Sequence, residues 1–222
     1  MKYKDISGIP LFKDISEADF MHMAGCLGYG LKTYKKDEFI ILEDENIKNV
    51  GIVLSGAVYM LKEDIWGNRA LIAYISFGEL IGESFVFGNV SRSIVTFKAA
   101  AKTEIMFLNF DKIIHTCSSA CVHHRKLADN MIYMIASKNI SLMEKIEVTS
   151  KKSLREKLLA YLSIQSQKNN SIYFEIPLGR VELAEYLCAD RSALTRELNN
   201  MRNDGIIDFY KNTFRIISGY DQ

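Results

Sequence analysis

The segment Arg180-Val-Glu-Leu-Ala-Glu-Tyr-Leu-Cys-Ala-Asp-Arg-Ser-Ala-Leu-Thr-Arg-Glu-Leu-Asn-Asn-Met201 decides the fold of the C-terminal part of this chain. Apolar residues recur at helical spacing on both sides of a Cys188-Ala189 turn, at Leu183, Ala184 and Leu187 and then at Leu194, Leu198 and Met201. Asp190 is a good N-cap for the second helix. We therefore predict a helix-turn-helix in which Cys188 packs inside the turn.

The second helix of this pair would present a short polar face to solvent. That face contains Arg191, Ser192, Thr195, Arg196 and Asn199, with Glu197 as its one nearby carboxylate. Arginine can contact guanine through two hydrogen bonds, and such helices lie in the major groove of DNA. The pattern predicts sequence-specific DNA binding. The alternative is an ordinary helix pair with a solvated outer face.

The residues after this helix predict a wing. Asp204-Gly205 would end the helix, and two apolar or alternating runs, Ile206–Tyr210 and Thr213–Ile217, flank a turn at Lys211-Asn212. A hairpin directly after a helix-turn-helix gives a winged helix-turn-helix.

The N-terminal part shows the short period of β-strands. Apolar or alternating runs separated by glycines are found at Phe39–Leu42, Val50–Leu54, Ala57–Leu61, Ala70–Ile75, Ile94–Phe97 and Ile105–Leu108. Trp66-Gly67-Asn68 is a hairpin signal, and helical segments precede the strands around Ile15–Cys26. Many short strands at this spacing predict a jelly roll or small barrel, that is, a double-stranded β-helix domain.

Between these parts, Val122–Glu147 contains no proline or glycine and would form a helix of ~35–40 Å. Its apolar residues cluster on one side, at Leu127, Met131, Met134, Ile135 and Leu142. We expect this stripe to pair with a second copy of the chain, although Lys138 interrupts it. The alternative is a long helix that lies on its own barrel.

The predicted class is α+β with three parts. These are an effector-sensing β-roll domain (1–117), a dimerisation helix (118–148) and a winged helix-turn-helix domain (149–222). A polar break at Val148–Ser153 marks the last boundary, and Ser153 with Glu156 forms a capping box for the next helix.

Composition limits the class of protein more weakly than the motifs do. The net charge is +1, so DNA binding depends on where the charges lie rather than on their sum. We find no apolar stretch long enough for a membrane span and no signal peptide, which predicts a cytoplasmic protein without a membrane partner. None of the four histidines falls among the predicted strands, and no nucleophile elbow or phosphate-binding loop is present, so we expect no enzyme activity.

In the order of its parts the chain resembles the Crp/Fnr family of bacterial transcription regulators. Three segments support the resemblance: Gly51–Val58, Phe77–Ser84 and Leu183–Met201. The resemblance implies a jelly-roll domain of the cyclic-nucleotide-binding type and a homodimer on a near-palindromic double-stranded DNA operator. It also implies modulation by a small effector in the β-roll, and RNA polymerase as a partner if the protein is an activator.

The resemblance also suggests roles for individual DNA-contacting residues. Arg191 and Arg196 fall where the catabolite activator branch of the family has base-contacting arginines, and Arg180 falls at a phosphate contact. Ser192 replaces a base-contacting glutamate. A serine hydroxyl discriminates less sharply than a carboxylate, so we expect a different operator half-site.

For the effector, Gly82-Glu83-Ser84 and Arg92-Ser93 resemble the turn and the arginine with which family members hold a cyclic phosphate, and Ser141 falls near their adenine contact. Backbone N–H groups and a guanidinium suit a buried phosphate. However, Ser84 replaces an apolar residue, and the interval from Gly82 to Arg92 is one residue short. The effector is thus unidentified: a cyclic nucleotide or another small anion. Alternatively, Gly82-Glu83 is only a tight turn.

The cysteines offer a rival sensor. Cys117 and Cys121 would lie one helical turn apart, and Cys26 could approach them, so these thiols could sense redox state or bind a metal. The N-terminal cysteine cluster of the Fnr branch is absent, because residues 1–25 contain no cysteine. A third possibility, from a different class, is a cyclic-nucleotide-binding module without a DNA role. It would leave the segment from Arg180 to Ile217 unexplained.

Overall fold

A computed structural model describes residues 7–109 and 122–217. The chain divides into two compact units, residues 1–67 with 72–139 and residues 68–71 with 140–222. The first described part contains a short 3-10 helix, Pro10–Phe12, and the following elements: α1 (Glu17–Leu27), β1 (Gly30–Tyr34), β2 (Phe39–Ile41), β3 (Asn49–Ser55), β4 (Val58–Glu63), β5 (Arg69–Ile75), β6 (Leu80–Ile81), α2 (Glu83–Phe87), β7 (Thr96–Ala99) and β8 (Thr103–Asn109).

These strands form the predicted β-roll from two four-stranded sheets. Their strand orders are β1-β8-β3-β6 and β2-β7-β4-β5. Apolar side chains alternate towards the interior, as in β7, where Phe97 and Ala99 are buried. Gly51 on β3 has no space for a side chain, because a Cβ there would lie 2.5 Å from Ile81 Cγ1 on β6. This close approach explains why β3 carries a glycine at this position.

The sequence predicted most of the roll but not all of it. The hairpin at Trp66-Gly67-Asn68 is confirmed, since β4 and β5 are neighbours and Gly67 has a φ of 82°. Two strands were missed. β6 has only two residues, and β1 is exposed along most of its length, so it lacks the alternating apolar pattern that marks a strand.

The long helix, α3 (Val122–Ser150), differs from expectation in what its apolar stripe contacts. Leu127, Met131 and Met134 are buried in the core of the β-roll of the same chain. The prediction that these residues form the seam between two copies is therefore wrong. The N-terminal segment supplies the physical reason: it adds Leu11, Phe12, Phe20 and other apolar side chains, which enlarge the surface that the helix can cover.

The opposite face of α3 is also apolar, but it is exposed. Its five large hydrophobic side chains are each more than 60% exposed, at Ile132, Tyr133, Ile140, Met143 and Ile146. At 100° per residue Ile132, Tyr133, Ile140 and Met143 lie on the side of the helix away from Leu127 and Met131, and Ile146 lies at the edge of that side. The helix thus has two apolar faces, of which one is buried within the chain.

The second described part forms a three-stranded sheet with three helices. Its elements are α4 (Leu154–Asn169), β9 (Tyr173–Glu175), α5 (Arg180–Leu187), α6 (Arg191–Asn203), β10 (Ile207–Tyr210) and β11 (Thr213–Ile216). The sheet order is β10-β11-β9. The predicted wing is confirmed, with Tyr210 opposite Thr213 across its two-residue turn. β9 was missed because three residues are too few to show a period.

The start of α4 confirms the predicted capping box. Ser153 Oγ accepts from Glu156 N at 3.2 Å, and Glu156 Oε2 accepts from Ser153 N at 2.9 Å. The backbone donation and the Ser153 hydroxyl hold the pKa of Glu156 below its usual range. The helix buries Leu158, Tyr161 and Leu162. Leu159, on the same helix, is 41% exposed.

Candidate DNA-binding surface and effector turn

The helix-turn-helix forms as predicted. All six apolar residues that the pattern placed in its core are buried: Leu183, Ala184, Leu187, Leu194, Leu198 and Met201. Asp190 caps α6 by accepting from Ser192 N at 2.8 Å and Ala193 N at 2.9 Å. The Ser192 hydroxyl also donates to this carboxylate, and these bonds hold the pKa of Asp190 below its usual range. Cys188 is exposed with a φ of 50°, so the expectation that it packs inside the turn is wrong.

The outer face of α6 holds the predicted DNA-contacting residues. Arg191, Ser192, Thr195 and Arg196 are exposed, and Asn199 is half-buried. Among the described residues no hydrogen bond engages the guanidinium of Arg191 or Arg196. Both donors are therefore free to meet an external acceptor.

The amide of Asn199 is less available than these guanidinium groups. Its Nδ2 donates to Thr195 O at 3.0 Å, and its Oδ1 accepts from Arg202 Nη2 at 2.8 Å. Arg202 in turn stacks over the Phe209 ring of the wing at 4.4 Å. Both ends of the amide are thus held within the domain, which leaves Asn199 less free than Arg196 for a base.

A residue that the sequence did not point to, Arg155 on α4, removes the acidic group from this face. Arg155 Nε pairs with Glu197 Oε1, and its Nη1 lies 2.8 Å from Asp204 Oδ2. The two carboxylates raise the pKa of Arg155. Because Glu197 is turned towards α4 and neutralised, the carboxylate that remains near this cationic face is the N-cap Asp190, whose pKa the charge of Arg196 also lowers. Residues so distant in sequence give no signal of such a pairing.

Arg180, at the start of α5, is engaged by the wing. Its Nη2 donates to Lys211 O at 2.7 Å, and its guanidinium lies 5.1 and 5.4 Å from the rings of Phe209 and Phe214. Partial burial lowers the pKa of Arg180. This side chain thus holds the turn of the wing against the first helix of the motif.

The C-terminal end of α5 is held by two lysines. Lys145 Nζ donates to Tyr186 O and lies 3.8 Å from the centre of the Tyr186 ring, and Lys157 Nζ donates to Leu187 O at 3.1 Å. Lysines favour this end of a helix because its last carbonyls lack partners and carry partial negative charge. Burial lowers the pKa of Lys145 to about 8.

At the predicted effector turn, Glu83 is almost completely buried and is paired with a lysine from the long helix. Lys138 Nζ lies 2.8 Å from Glu83 Oε1 and donates to Leu80 O at 2.9 Å. The Ser84 hydroxyl donates to the same oxygen, Oε1, at 2.9 Å, while Glu83 Oε2 has no hydrogen-bond partner. Gly82 precedes α2 with a φ of 77°, a conformation that glycine adopts without strain.

The other residues of the predicted effector set lie apart from this ion pair. Arg92 is exposed, whereas Ser93 is buried and donates to Val95 O at 2.6 Å. Among the described residues no hydrogen bond or ion pair joins either of them to Glu83. Ser141 is exposed on α3. The effector turn Gly82–Ser84 thus gains one further residue, Lys138. In the sequence, Lys138 is only a charge within the apolar stripe of the long helix.

A separate cavity of about 390 Å³ opens on the β-roll between β1 and β2. Its lining includes Lys32, Tyr34, Asn46, Lys48 and Phe107, and none of the predicted effector residues. This cavity is therefore a second candidate position for a small ligand in the β-roll, in addition to the turn at Gly82–Ser84.

The cysteines of the alternative metal or redox site are not among the described side chains. Cys117 and Cys121 fall outside the described residues, as does the side chain of Cys26. Among the described side chains, which leave out those of residues 24–27 and 122–124, no three His, Cys, Asp or Glu group as a metal site would require. No described helix combines the length and apolar character that a membrane span needs.

Comparison with known proteins agrees with this architecture. The Cyclic nucleotide-binding domain profile matches residues 31–119, and the Crp-like helix-turn-helix domain profile matches residues 156–218. The chain belongs to the Crp/Fnr family of transcription regulators. As a Crp/Fnr-type protein it is a DNA-binding transcription regulator, which confirms the function predicted from the sequence.

Three proteins to which the chain is similar share no more than 21% sequence identity with it. The Transcriptional activator protein FnrL of Cereibacter sphaeroides is 21% identical over 185 residues, which are 79% of this chain and 71% of FnrL. The structure of FixK2 from Bradyrhizobium japonicum is 20% identical with a TM-score of 0.68, over 86% of this chain and 94% of that one. CLP, the c-di-GMP responsive global regulator of Xanthomonas campestris, is 14% identical with a TM-score of 0.71, over 86% and 95%. These two structures show that the fold is shared.

Proposed function

We propose that this Crp/Fnr regulator binds a near-palindromic operator as a homodimer and that Arg191 and Arg196 contact bases. The observation that supports the proposal is the state of these two guanidinium groups. They are exposed and have no hydrogen bond within the described residues, while Arg155 neutralises Glu197, a carboxylate of the same helix. A bidentate contact between arginine and guanine contributes ~1–3 kcal/mol of discrimination.

Ser192 supports the expectation of a distinct half-site. Its hydroxyl donates to the capping carboxylate of Asp190, which leaves only its lone pairs for DNA. Such a group accepts weakly from cytosine or adenine amino groups and does not discriminate as a free carboxylate does. We propose that Thr195 and Asn199 contribute contacts at the edge of this surface, and that Arg180 contacts a phosphate while it holds the wing.

The dimer, in this proposal, forms through the exposed face of α3 rather than through the buried one. Ile132, Ile140, Met143 and Ile146 are each more than 60% exposed. Single exposed apolar residues are ordinary, but a row at helical spacing indicates an interface. A second copy is the partner we propose, because two equivalent helices can bury the same stripe against each other about a two-fold axis. The same axis would place two α6 helices on the two operator half-sites.

We further propose that a small effector in the β-roll modulates DNA binding. The structure favours an effector other than a cyclic nucleotide, because Arg92 points to solvent and Glu83 already has an internal cation. The turn at Gly82–Ser84 and the cavity lined by Lys32 and Lys48 are the two candidate positions. If the regulator is an activator, as FnrL is named, RNA polymerase is a further partner.

Selection of DNA by the purified protein tests the proposal. From a pool of random duplexes we expect the protein to enrich an inverted repeat whose half-sites lie about one helical turn apart, roughly 10 base pairs. Sedimentation of the selected complex should show two chains per duplex. A single half-site bound by one chain would contradict the dimer, and enrichment of no sequence would contradict base contact by α6.

A further inference from the structure

Glu83 of the effector turn and Lys138 of α3 form an ion pair that lies where it can control the rotation of α3 on the β-roll. Glu83 is 2% exposed, and Lys138 is largely buried as well, with 16% of its side chain exposed. Burial of a charge is costly unless it is paired, so each of these groups depends on the other. The pair therefore holds together two segments of the β-roll unit that are distant in sequence.

The apolar contacts of α3 set which face of the helix meets the β-roll, but they tolerate small changes in its rotation. Leu127, Met131 and Met134 attach the helix to the core, but hydrophobic contact is non-directional, and methionine adapts its shape easily. Hydrogen bonds, in contrast, require defined distances and angles. The polar contacts of α3 therefore define its rotation and register more sharply than the apolar row does.

Beside the more exposed ion pair of Lys126 with Asp14, two sets of side-chain hydrogen bonds join α3 to other segments of the β-roll unit. Asn130 Nδ2 donates to Leu11 O and to Lys13 O, at 2.9 Å each, and Lys138 Nζ donates to Leu80 O beside its pair with Glu83. Asn130 and Lys138 are about two helical turns apart, so together they define the rotation of the helix as well as its position along its axis. Of the two, only Lys138 contacts the effector turn.

We propose that the Lys138–Glu83 pair sets the rotation of α3 on the β-roll and that operator binding requires the pair. This inference rests on the proposed dimer, because rotation of α3 turns its exposed stripe relative to the two-fold partner. Lys138 is accordingly a positioning residue, which acts through α3 and not on DNA. It also couples the effector turn to the dimer interface without any bound ligand.

Three variants test the pair. Lys138→Met leaves Glu83 as an unpaired buried carboxylate, so we expect a lower melting temperature together with weaker operator binding. Glu83→Gln with Lys138→Met removes both charges, and loss of a complete buried pair costs little stability. Lys126→Met is the matched control: Lys126, also on α3, pairs with Asp14 of the N-terminal segment at 3.4 Å, and the two side chains are 42% and 63% exposed.

The expected outcome separates positioning from stability. The double variant should melt near the wild-type temperature yet bind the operator more weakly by about 5- to 150-fold, the range typical of coupling between sites. Lys126→Met should match the wild-type protein in both measurements. If the double variant regains both stability and operator affinity, the pair is only structural and the inference is wrong. Wild-type operator affinity in Lys138→Met would also overturn it, as would a double variant that does not fold.

The same measurements on the wild-type protein keep the inference distinct from the proposed function. If the wild-type protein is monomeric on DNA, the dimer proposal fails. If it binds as a dimer and the double variant binds equally well, only the role of Lys138 fails.

Discussion

The helices α3 and α6 each have one buried apolar face, and they differ in the side chains on their exposed faces. Each buries one apolar row in its own unit: Met131 and its neighbours on α3, Leu194 and Leu198 on α6. The free face of α6 presents guanidinium groups, whereas the free face of α3 presents isoleucine and methionine. The chemistry of an unburied face indicates its partner: polyanionic DNA for one helix and a second apolar helix for the other.

The buried face of α3 gives the largest expected effect. Met131→Ala should lower the free energy of unfolding by ~2–5 kcal/mol, because it leaves a cavity in the β-roll core. The matched control is Met21→Ala on α1, where the methionine is 66% exposed and the change should stay within ~0.5 kcal/mol. Urea denaturation measures both. Equal stability of the two variants would show that α3 does not pack on its own roll.

The exposed face of the same helix should respond through association. Met143→Glu places charges in the proposed seam, and we expect the dimer dissociation constant to rise at least ~10-fold, as for loss of an interface contact worth more than ~1.4 kcal/mol. Ser137→Glu adds the same charge at an exposed position beside the stripe and should leave association nearly unchanged. Sedimentation over a concentration series measures both constants. Similar constants for the two variants would place the dimer interface elsewhere.

A smaller effect should appear in how the stability of the DNA-binding unit depends on pH. The pKa of Lys145 is about 8 in the folded protein and 10.5 when unfolded, so the folded state binds fewer protons between these values. Stability should therefore rise as pH increases above 8. Burial raises the pKa of Tyr161 and of Tyr186 above the usual value of 10. The contribution of these two tyrosines to stability therefore falls as the pH rises above 10. The expected increase in stability is therefore confined to about pH 8–10.

Lys145→Met provides the comparison for this prediction. The variant lacks the titrating ammonium, so its melting temperature should change less between pH 8 and pH 10 than that of the wild-type protein. Thermal melts in matched buffers measure the difference. A wild-type protein whose stability falls over this interval would contradict the assignment of Lys145 as a buried cation with a lowered pKa.

The contrast between the two helices also shows what a sequence can and cannot predict here. The buried row and the cap of α6 were predicted, because helical period and an N-cap residue such as Asp190 are local signals. For α3 the period identified apolar residues but not which face meets the roll, since that depends on Leu11 and Phe12 far away in the chain. The partners of Lys138 and Arg155 were missed for the same reason: ion pairs between distant segments leave no periodic pattern.

The most direct test of the central claim is the effect of Arg196→Ala on operator and scrambled duplexes, measured by titration at one salt concentration. Loss of a base contact should weaken operator binding by ~1–3 kcal/mol and leave scrambled DNA almost unaffected, so the specificity ratio falls. Arg215→Ala removes the same charge from an exposed site on the wing and should preserve that ratio. Equal losses on both duplexes in Arg196→Ala would contradict the claim, because they would make Arg196 a phosphate contact.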